Sequence, residues 1–456
     1  MNARAPDELR TPDELRQDEP GRAEHDPLLR ALSRGDTLQR VGRVAEAYGT
    51  LIRATGVRAA IGELCLLEQA DTGFSMPAEV VGVSQQQTLL TPLGPLEGIS
   101  TATTVTATGK QATAPAGMSL LGRVLDAHGE PLDGLGPLEN VERVPLYAAS
   151  PNPLGRTAID EAMPTGVRAI DAALTIGRGQ RTGIFAVAGG GKSTLLGMLA
   201  RNAQADVNVI VLVGERGREV GEFLHDSLGE EGLKRSVLVV ATSDRPALER
   251  SRVAWLGTAI AEYFRDRGMN VLLMMDSVTR FARALRDVGL AMGEPPARRG
   301  FTPSVFSALP RLFERAGTNE RGAITAFYTV LMEDEDGNDP IAEEVRSILD
   351  GHIYLSRRLA QANHYPAIDL LASASRLMPR VAQPVHVRAA GLLRRYLAKY
   401  REIEMLLQLG EYKPGGDADA DTAIARMDAI NQLLRQGTHE QAEFIATRNR
   451  LTGVCT

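Results

Sequence analysis

The stretch AVAGGGKSTLL, residues 186–196, sets three glycines in front of a lysine and two hydroxyl side chains. Its spacing approaches the phosphate-binding pattern G-x-x-x-x-G-K-[ST], with Ala186 where the first glycine stands in that pattern. Gly189, Gly190 and Gly191 free the backbone to bend so that successive N–H groups point into one concavity. Lys192 brings a point charge to outer phosphates, and Ser193 offers a hydroxyl to Mg²⁺. The predicted nucleotide-binding loop is therefore Ala188, Gly189, Gly190, Gly191, Lys192, Ser193 and Thr194. Before it, TGIFAVA reads as a buried parallel strand. After it, STLLGMLARNA reads as a helix whose positive end faces the anion. A glycine-rich surface turn is the competing reading, and the flanking strand and helix disfavour it.

Outward from the loop, residues 150–380 alternate apolar runs with helical patterns, which predicts an α/β region with a parallel sheet covered on both faces. Candidate strands are GIFAVA, VNVIVLVGE, SVLVVATS, NVLLMMD and AITAFYTVL. The run VLLMMD, 271–276, ends in Asp276, placed to hold the Mg²⁺ shell beside a phosphate loop. The run VIVLVGERGRE, 209–219, carries Glu215 to the carboxyl edge of the sheet, where ligands sit. There a carboxylate can orient attacking water; the alternative is an acid that stabilises a helix N-terminus. In PAIDLLASASRLMPR, 366–380, Arg376 follows a polar turn and reads either as a surface ion pair or as a cation for a transferring phosphoryl group. The segment GEPPARRGFTPSVFSALPRLFERAG, 293–317, reads as a surface loop before a helix, or as a contact with something inserted into an assembly. EDEDGNDP, 333–340, fails as an EF-hand because Met332 and Pro340 would fall on ligand positions, leaving a solvated acidic loop.

The flanks differ in texture. Residues 1–25 are charged, repeat PDELR, and read as a disordered tail or as a recognition segment with a short helix at 26–36. From Gly42 to about Gly109, short runs broken by Gly and Pro predict a small β-barrel or sandwich. Residues 122–138 read as a connector, and beyond Pro384 the periodicity is helical. The net charge of −6 argues against nucleic acid as the main partner. Two distant cysteines, Cys65 and Cys455, form no disulfide framework or zinc pattern, and the charged N-terminus lacks a signal core. A cytosolic protein is expected.

Taken together, TGVRAIDAALTIGRGQRTGIFAVAGGGKSTLL, LVGERGREV, LLMMDSVTRFARALR, EPPARRGFTPSVFSALPRLFERAG, DPIAEEVRSILDGHIYLSRRLA and HYPAIDLLASASRLM resemble the rotary-type ATPases, from about Val41 to Leu451. They are most similar to the type III secretion ATPases, relatives of the β subunit of rotary ATP synthases, and AGGGKST looks more like the injectisome branch than the flagellar one. The resemblance implies a RecA-like P-loop core preceded by a β-barrel and followed by a helical domain. The implied divisions are 1–36, 37–112, 113–382 and 383–456. It implies a cytosolic homohexamer at the inner membrane that hydrolyses ATP with Mg²⁺ to drive chaperone release, effector unfolding and export. Implied partners are a peripheral stalk protein, a central stalk protein, the export gate and chaperone–effector complexes, with no nucleic acid. In matching positions it makes Lys192 and Ser193 phosphate and Mg²⁺ ligands, Glu215 the catalytic carboxylate and Asp276 the Mg²⁺-side acid. It makes Tyr365 the aromatic on adenine and Arg376 an arginine finger for a neighbour; Tyr412 matches loosely near the base. A flagellar exporter, a hexameric nucleic-acid translocase and a non-catalytic ring subunit are the competing readings. The second lacks support in 41–110, where Tyr48 and Phe74 are the aromatics, and retention of Lys192 and Glu215 disfavours the third.

Overall fold

In the computed structural model the described residues are 41–48, 50–187, 189–333 and 339–455. The charged segment 1–36, Ala188 and most of the acidic loop 333–340 lie outside them. The first unit is a barrel of six short strands: β1 (Val41–Tyr48), β2 (Leu51–Thr55), β3 (Glu63–Gln69), β4 (Phe74–Val83), β5 (Thr88–Pro92) and β6 (Thr104–Gln111). They close in the order β1-β2-β5-β4-β3-β6, every pair antiparallel. Between a barrel and a sandwich, closure is what removes the exposed strand edges. Its inward positions include Val44, Ile52, Leu67, Val80, Leu90 and Val105. A buried ion pair ties the barrel to the helix Ala247–Arg265 of the central unit, Arg252 Nη1 to Glu79 Oε2 at 2.9 Å.

A ribbon of β7 (Thr113–Ala116) and β9 (Glu142–Pro145) leads into the central sheet. Between them β8 (Val124–Leu125) pairs parallel with the strand Ser236–Thr242, so the stretch read as a connector supplies the sheet's far edge. The sheet continues with β10 (Arg181–Ala186), β11 (Val207–Glu215), β12 (Ser236–Thr242), β13 (Asn270–Asp276), β14 (Gly317–Thr318), β15 (Ala323–Leu331), β16 (Gly351–Leu355) and β17 (Ile368–Ser375). Its order is β17-β16-β10-β15-β13-β11-β12-β8, with β14 on β15. From β16 to β8 the neighbours run parallel, and β17 is an antiparallel edge.

The unbroken apolar runs have a simple cause. Side chains alternate across a strand, and both faces are covered. In β11, Val209, Val211 and Val213 enter one core with the helices Ala247–Arg265 and Val278–Ala291. Ile210 and Leu212 enter the other, with the helix Lys192–Asn202 and the C-terminal helices. All five strands read from the sequence form.

Two readings change. Arg376 follows not a polar turn but β17, a half-exposed edge strand that tolerates its Ser, Ala and Asp content. The helical periodicity beyond Pro384 is not continuous to the end: its last part is two helices, Ala418–Leu434 and Phe444–Cys455, interrupted where Gln436 is buried and its side chain bonds backbone instead.

Candidate active site

The phosphate loop leaves β10 at the carboxyl edge of the sheet. Gly189 and Gly191 both hold φ of 82°, a left-handed conformation that strains other residues. Gly191 caps the helix Lys192–Asn202, which points its positive end at the concavity. Ser193 and Thr194 are exposed at its first turn.

Three strands bring the charged groups together. Lys192 Nζ donates to the Asp276 carboxylate and lies 3.6 Å from Glu215 Oε1. Asp276 ends β13 and also accepts from Thr329 Oγ1 of β15 at 2.8 Å. Glu215 ends β11, and its other oxygen meets Arg280 Nη2 at 3.1 Å. Arg280 donates as well to the Gly214 carbonyl, so it grips both the carboxylate and the backbone that presents it. Glu215 Oε1 is buried without a hydrogen-bond partner among the described residues, so it remains free to accept one. Burial, then the hydrogen-bonded Glu219 carboxyl, then Asp276, push the Glu215 carboxyl up to about 7, against the pull of Lys192 and Arg280. Glu219, hydrogen-bonded to Glu215, is held below its usual range. The result is a buried carboxyl poised near neutrality beside the Lys192 cation.

Next to the loop is a cavity of about 580 Å³, lined by Thr194, Leu195, Met198, Tyr365, Gln436 and Thr438 among others. Tyr365 is 42% exposed, and its ring stands beside the phosphate loop: a Cβ on Gly191 would be 3.6 Å from Tyr365 Cε1. Phosphate loop and aromatic ring thus line the same cavity. Tyr412 does not line this cavity; its hydroxyl donates to Asp421 Oδ1 at 2.8 Å near the start of the helix Ala418–Leu434.

Arg376 is not brought to this site. Ser375 pairs with Gly351, which pairs with Thr182 at the start of β10, whereas the loop leaves β10 after Ala186, opposite Leu355. Four strand steps separate the two ends, roughly 13 Å along the sheet.

Oxygen donors around the loop suit a hard cation. Among the described residues no group of three His, Cys, Asp or Glu side chains is arranged to cage a metal. The Ser193 hydroxyl and Asp276 carboxylate fit Mg²⁺, which takes one or two protein oxygens and completes its shell with phosphate and water.

Sequence reading missed Arg280, Glu219, Thr329 and the wall 435–438. Arg280 lies four residues after Asp276, and Glu219 four after Glu215, a spacing that places both within one turn of the sheet edge. Thr329 carried no signal, since its contact needs the pairing of β13 with β15.

Comparison with known proteins agrees with this geometry. Residues 166–375 match the ATP synthase alpha/beta family, nucleotide-binding domain; residues 44–109 match that family's beta-barrel domain; residues 382–453 match the T3SS EscN ATPase C-terminal domain. The chain is 58% identical to the type 3 secretion system ATPase of Xanthomonas euvesicatoria, over 91% of this chain and 94% of that protein. It is 49% identical to the flagellum-specific ATP synthase of Bacillus subtilis, over 93% of this chain and 98% of that protein. The assembled ATPase EscN of the enteropathogenic E. coli type III secretion system superposes with a TM-score of 0.87 at 48% identity, covering 91% of this chain and 100% of that one. A second structure, EscN with its central stalk EscO, gives 0.84 at 47% identity over 91% and 100%. Barrel, P-loop sheet and helical region therefore occur in one order in this chain and these relatives, and the chain belongs to the type III secretion and flagellar export ATPases, P-loop ATPases of the ATP synthase alpha/beta family.

Proposed function

We propose that this chain hydrolyses Mg²⁺·ATP to ADP and phosphate as a homohexameric ring at the cytosolic face of the bacterial inner membrane, and so drives chaperone release, effector unfolding and export. The observation that carries the chemistry is Lys192 set between Asp276 and a buried Glu215 whose Oε1 has no partner among the described residues. Lys192 and the loop amides hold the outer phosphates. Ser193 and Asp276 hold Mg²⁺, which when bound neutralises charge on the phosphoryl oxygens. Glu215 accepts a hydrogen bond from the attacking water and orients it in line, a task suited to a group that titrates near neutral pH. Tyr365 stacks on the base. Arg376 enters a neighbouring subunit's site, a reading supported by its place after the edge strand β17, four residues in register from the end of β10 that leads to the phosphate loop.

The injectisome role is supported by 58% and 53% identity to two type 3 secretion system ATPases, while two others, at 48% and 49%, stand level with flagellum-specific ones at 49% and 48%. EscN with a central stalk supports a stalk protein in the ring's axis here. A peripheral stalk protein, the export gate and chaperone–effector complexes complete the proposed partners. No helix of the described residues is long and apolar enough to cross a membrane, so membrane association is assigned to the apparatus.

Two substitutions test the chemistry. Lys192→Ala should lose nucleotide affinity and turnover together. Glu215→Gln should bind ATP normally and lose turnover by about 10²-fold or more, since water orientation is what it removes. Normal hydrolysis by Glu215→Gln would refute the assignment. Co-purification of the untagged protein with injectisome or with flagellar components separates the two export roles.

A further inference from the structure

The cavity wall facing Tyr365 belongs neither to the sheet nor to the phosphate loop. It is the segment 435–438 that interrupts the C-terminal helices. Arg435, Gly437 and Thr438 are exposed, so burial of their side chains does not fix its position.

What fixes it is Arg168, 9% exposed. Its Nε donates to the Leu433 carbonyl at 2.9 Å, and its guanidinium donates to the Arg435 carbonyl and to the Glu440 carboxylate, the Nη2–Oε2 contact being 3.2 Å. Its backbone N–H donates to Gln436 Oε1 at 2.8 Å. The Gln436 amide in turn donates to the Gly166 carbonyl at 2.8 Å and the Glu440 carbonyl at 2.7 Å. The Gln436 N–H reaches the Tyr365 carbonyl at 2.9 Å, which links the wall to the aromatic opposite it.

Arg168 itself stands on a rigid base. The Thr165 N–H, its hydroxyl and the Gly166 N–H all donate to Asp171, at 2.9, 2.7 and 3.0 Å. Gly166, at φ +72°, abuts the end of the phosphate-loop helix; a Cβ there would stand 2.5 Å from that of Asn202. From the same helix Arg201 Nη2 donates to the Thr438 carbonyl at 2.6 Å. The turn at 165–171 and the end of the phosphate-loop helix are thus each tied to the wall, through Arg168 and Arg201.

From this geometry we infer that Arg168 is a positioning residue for the base half of the nucleotide site: with Gln436 and Glu440 it sets the gap between the wall and the Tyr365 ring, and thereby how tightly the nucleobase is held. The inference rests on reading the cavity as the base pocket. A lysine cannot replace the planar fork that serves several acceptors at once.

The test uses the full-length protein as Arg168→Lys, Glu440→Ala and Lys192→Ala. ADP and inorganic tripolyphosphate, which has no base, are titrated calorimetrically, and KM and kcat for ATP are measured. Arg168→Lys should raise KM for ATP and Kd for ADP about tenfold, the loss of hydrogen bonds from a charged group. Glu440→Ala should raise both by less, kcat should hold within about twofold, and tripolyphosphate affinity should not move. Unchanged ADP affinity in folded Arg168→Lys overturns the inference, as does equal weakening of ADP and tripolyphosphate. Should Arg168→Lys not fold, Glu440→Ala decides by the same two titrations. Wild-type binding of both ligands by Lys192→Ala would instead overturn the nucleotide site itself, a failure distinct from loss of the clamp alone.

Discussion

Glu215 ionises under opposing influences, and its pH behaviour reports them. A water-orienting carboxyl works when deprotonated, so kcat should climb as pH rises through about 7. Arg280, 3.1 Å away, favours the charged form. Arg280→Gln should therefore move this acid limb upward by about one pH unit; an unmoved or lowered limb in the pH–rate profile would contradict the pairing. Stability follows the same shift with a definite sign. A carboxyl raised in the folded state contributes its stabilisation below its unfolded value, near 4.5, and loses it as pH rises through about 7. Glu215→Gln, uncharged throughout, should thus gain on the wild type between pH 5.5 and 8.5 by on the order of 1–3 kcal/mol, read as a difference in Tm without nucleotide. Lys192, Glu215 and Asp276 were legible because each sits where an apolar strand or a glycine run stops. Arg280 and Thr329 were not, because their contacts depend on which strands are neighbours.

Among the elements, the phosphate-loop helix shows how local propensity yields to packing. Gly197 lies in its middle, where glycine ordinarily weakens a helix. A Cβ there would meet Ser227 Cβ at 2.7 Å and the Ser227 carbonyl at 2.9 Å, in the turn of chain beyond Glu215. Gly197→Ala should destabilise by about 1–3 kcal/mol through overpacking. Gly391, on the exposed face of the helix Pro384–Leu409, has nothing within 4 Å of such an atom. Gly391→Ala should stabilise by about 0.4–1 kcal/mol. Denaturant midpoints for the two variants check both signs, and similar values would refute the packing argument. The sequence pattern treats these glycines alike; only their neighbours separate them. The break at residues 435–443 was hidden for the same reason, since Gln436 gains its three buried hydrogen bonds from residues remote in sequence.

At the scale of the molecule, the register of the sheet sets the strand end before Arg376 four residues from the end of β10 that leads to Lys192, which favours supply of the two groups by different chains. If the arginine serves a neighbour, Arg376→Ala rings should bind ATP and turn over roughly 10³-fold more slowly. Lys192→Ala rings should be inactive as well. Mixing the two before assembly creates interfaces with an intact loop facing an intact arginine, and hydrolysis should peak at intermediate ratios. ATPase rate against mixing ratio and against total protein reads this out, because assembly builds the site. Full activity of Arg376→Ala alone, or concentration-independent turnover by a monomer, would refute the shared site.

By itself the sequence determined the class of fold and the positions of the phosphate loop and of the acids at strand ends. Period and run length are properties of adjacent residues, so the strands of the sheet, the glycine-rich loop and the acids at strand ends could be read directly. A barrel could not be told from a sandwich, because closure is a pairing of β1 with β6 across the whole unit. The cavity beside Tyr365 was decided later still. Tyr365, the Leu195 face of the phosphate-loop helix and the 435–438 wall lie far apart along the chain, and Arg168 holds the wall through contacts 265 to 272 residues away. Local pattern carries no record of such distances; the order of strands and the docking of the C-terminal helices on one face of the sheet bring these residues together.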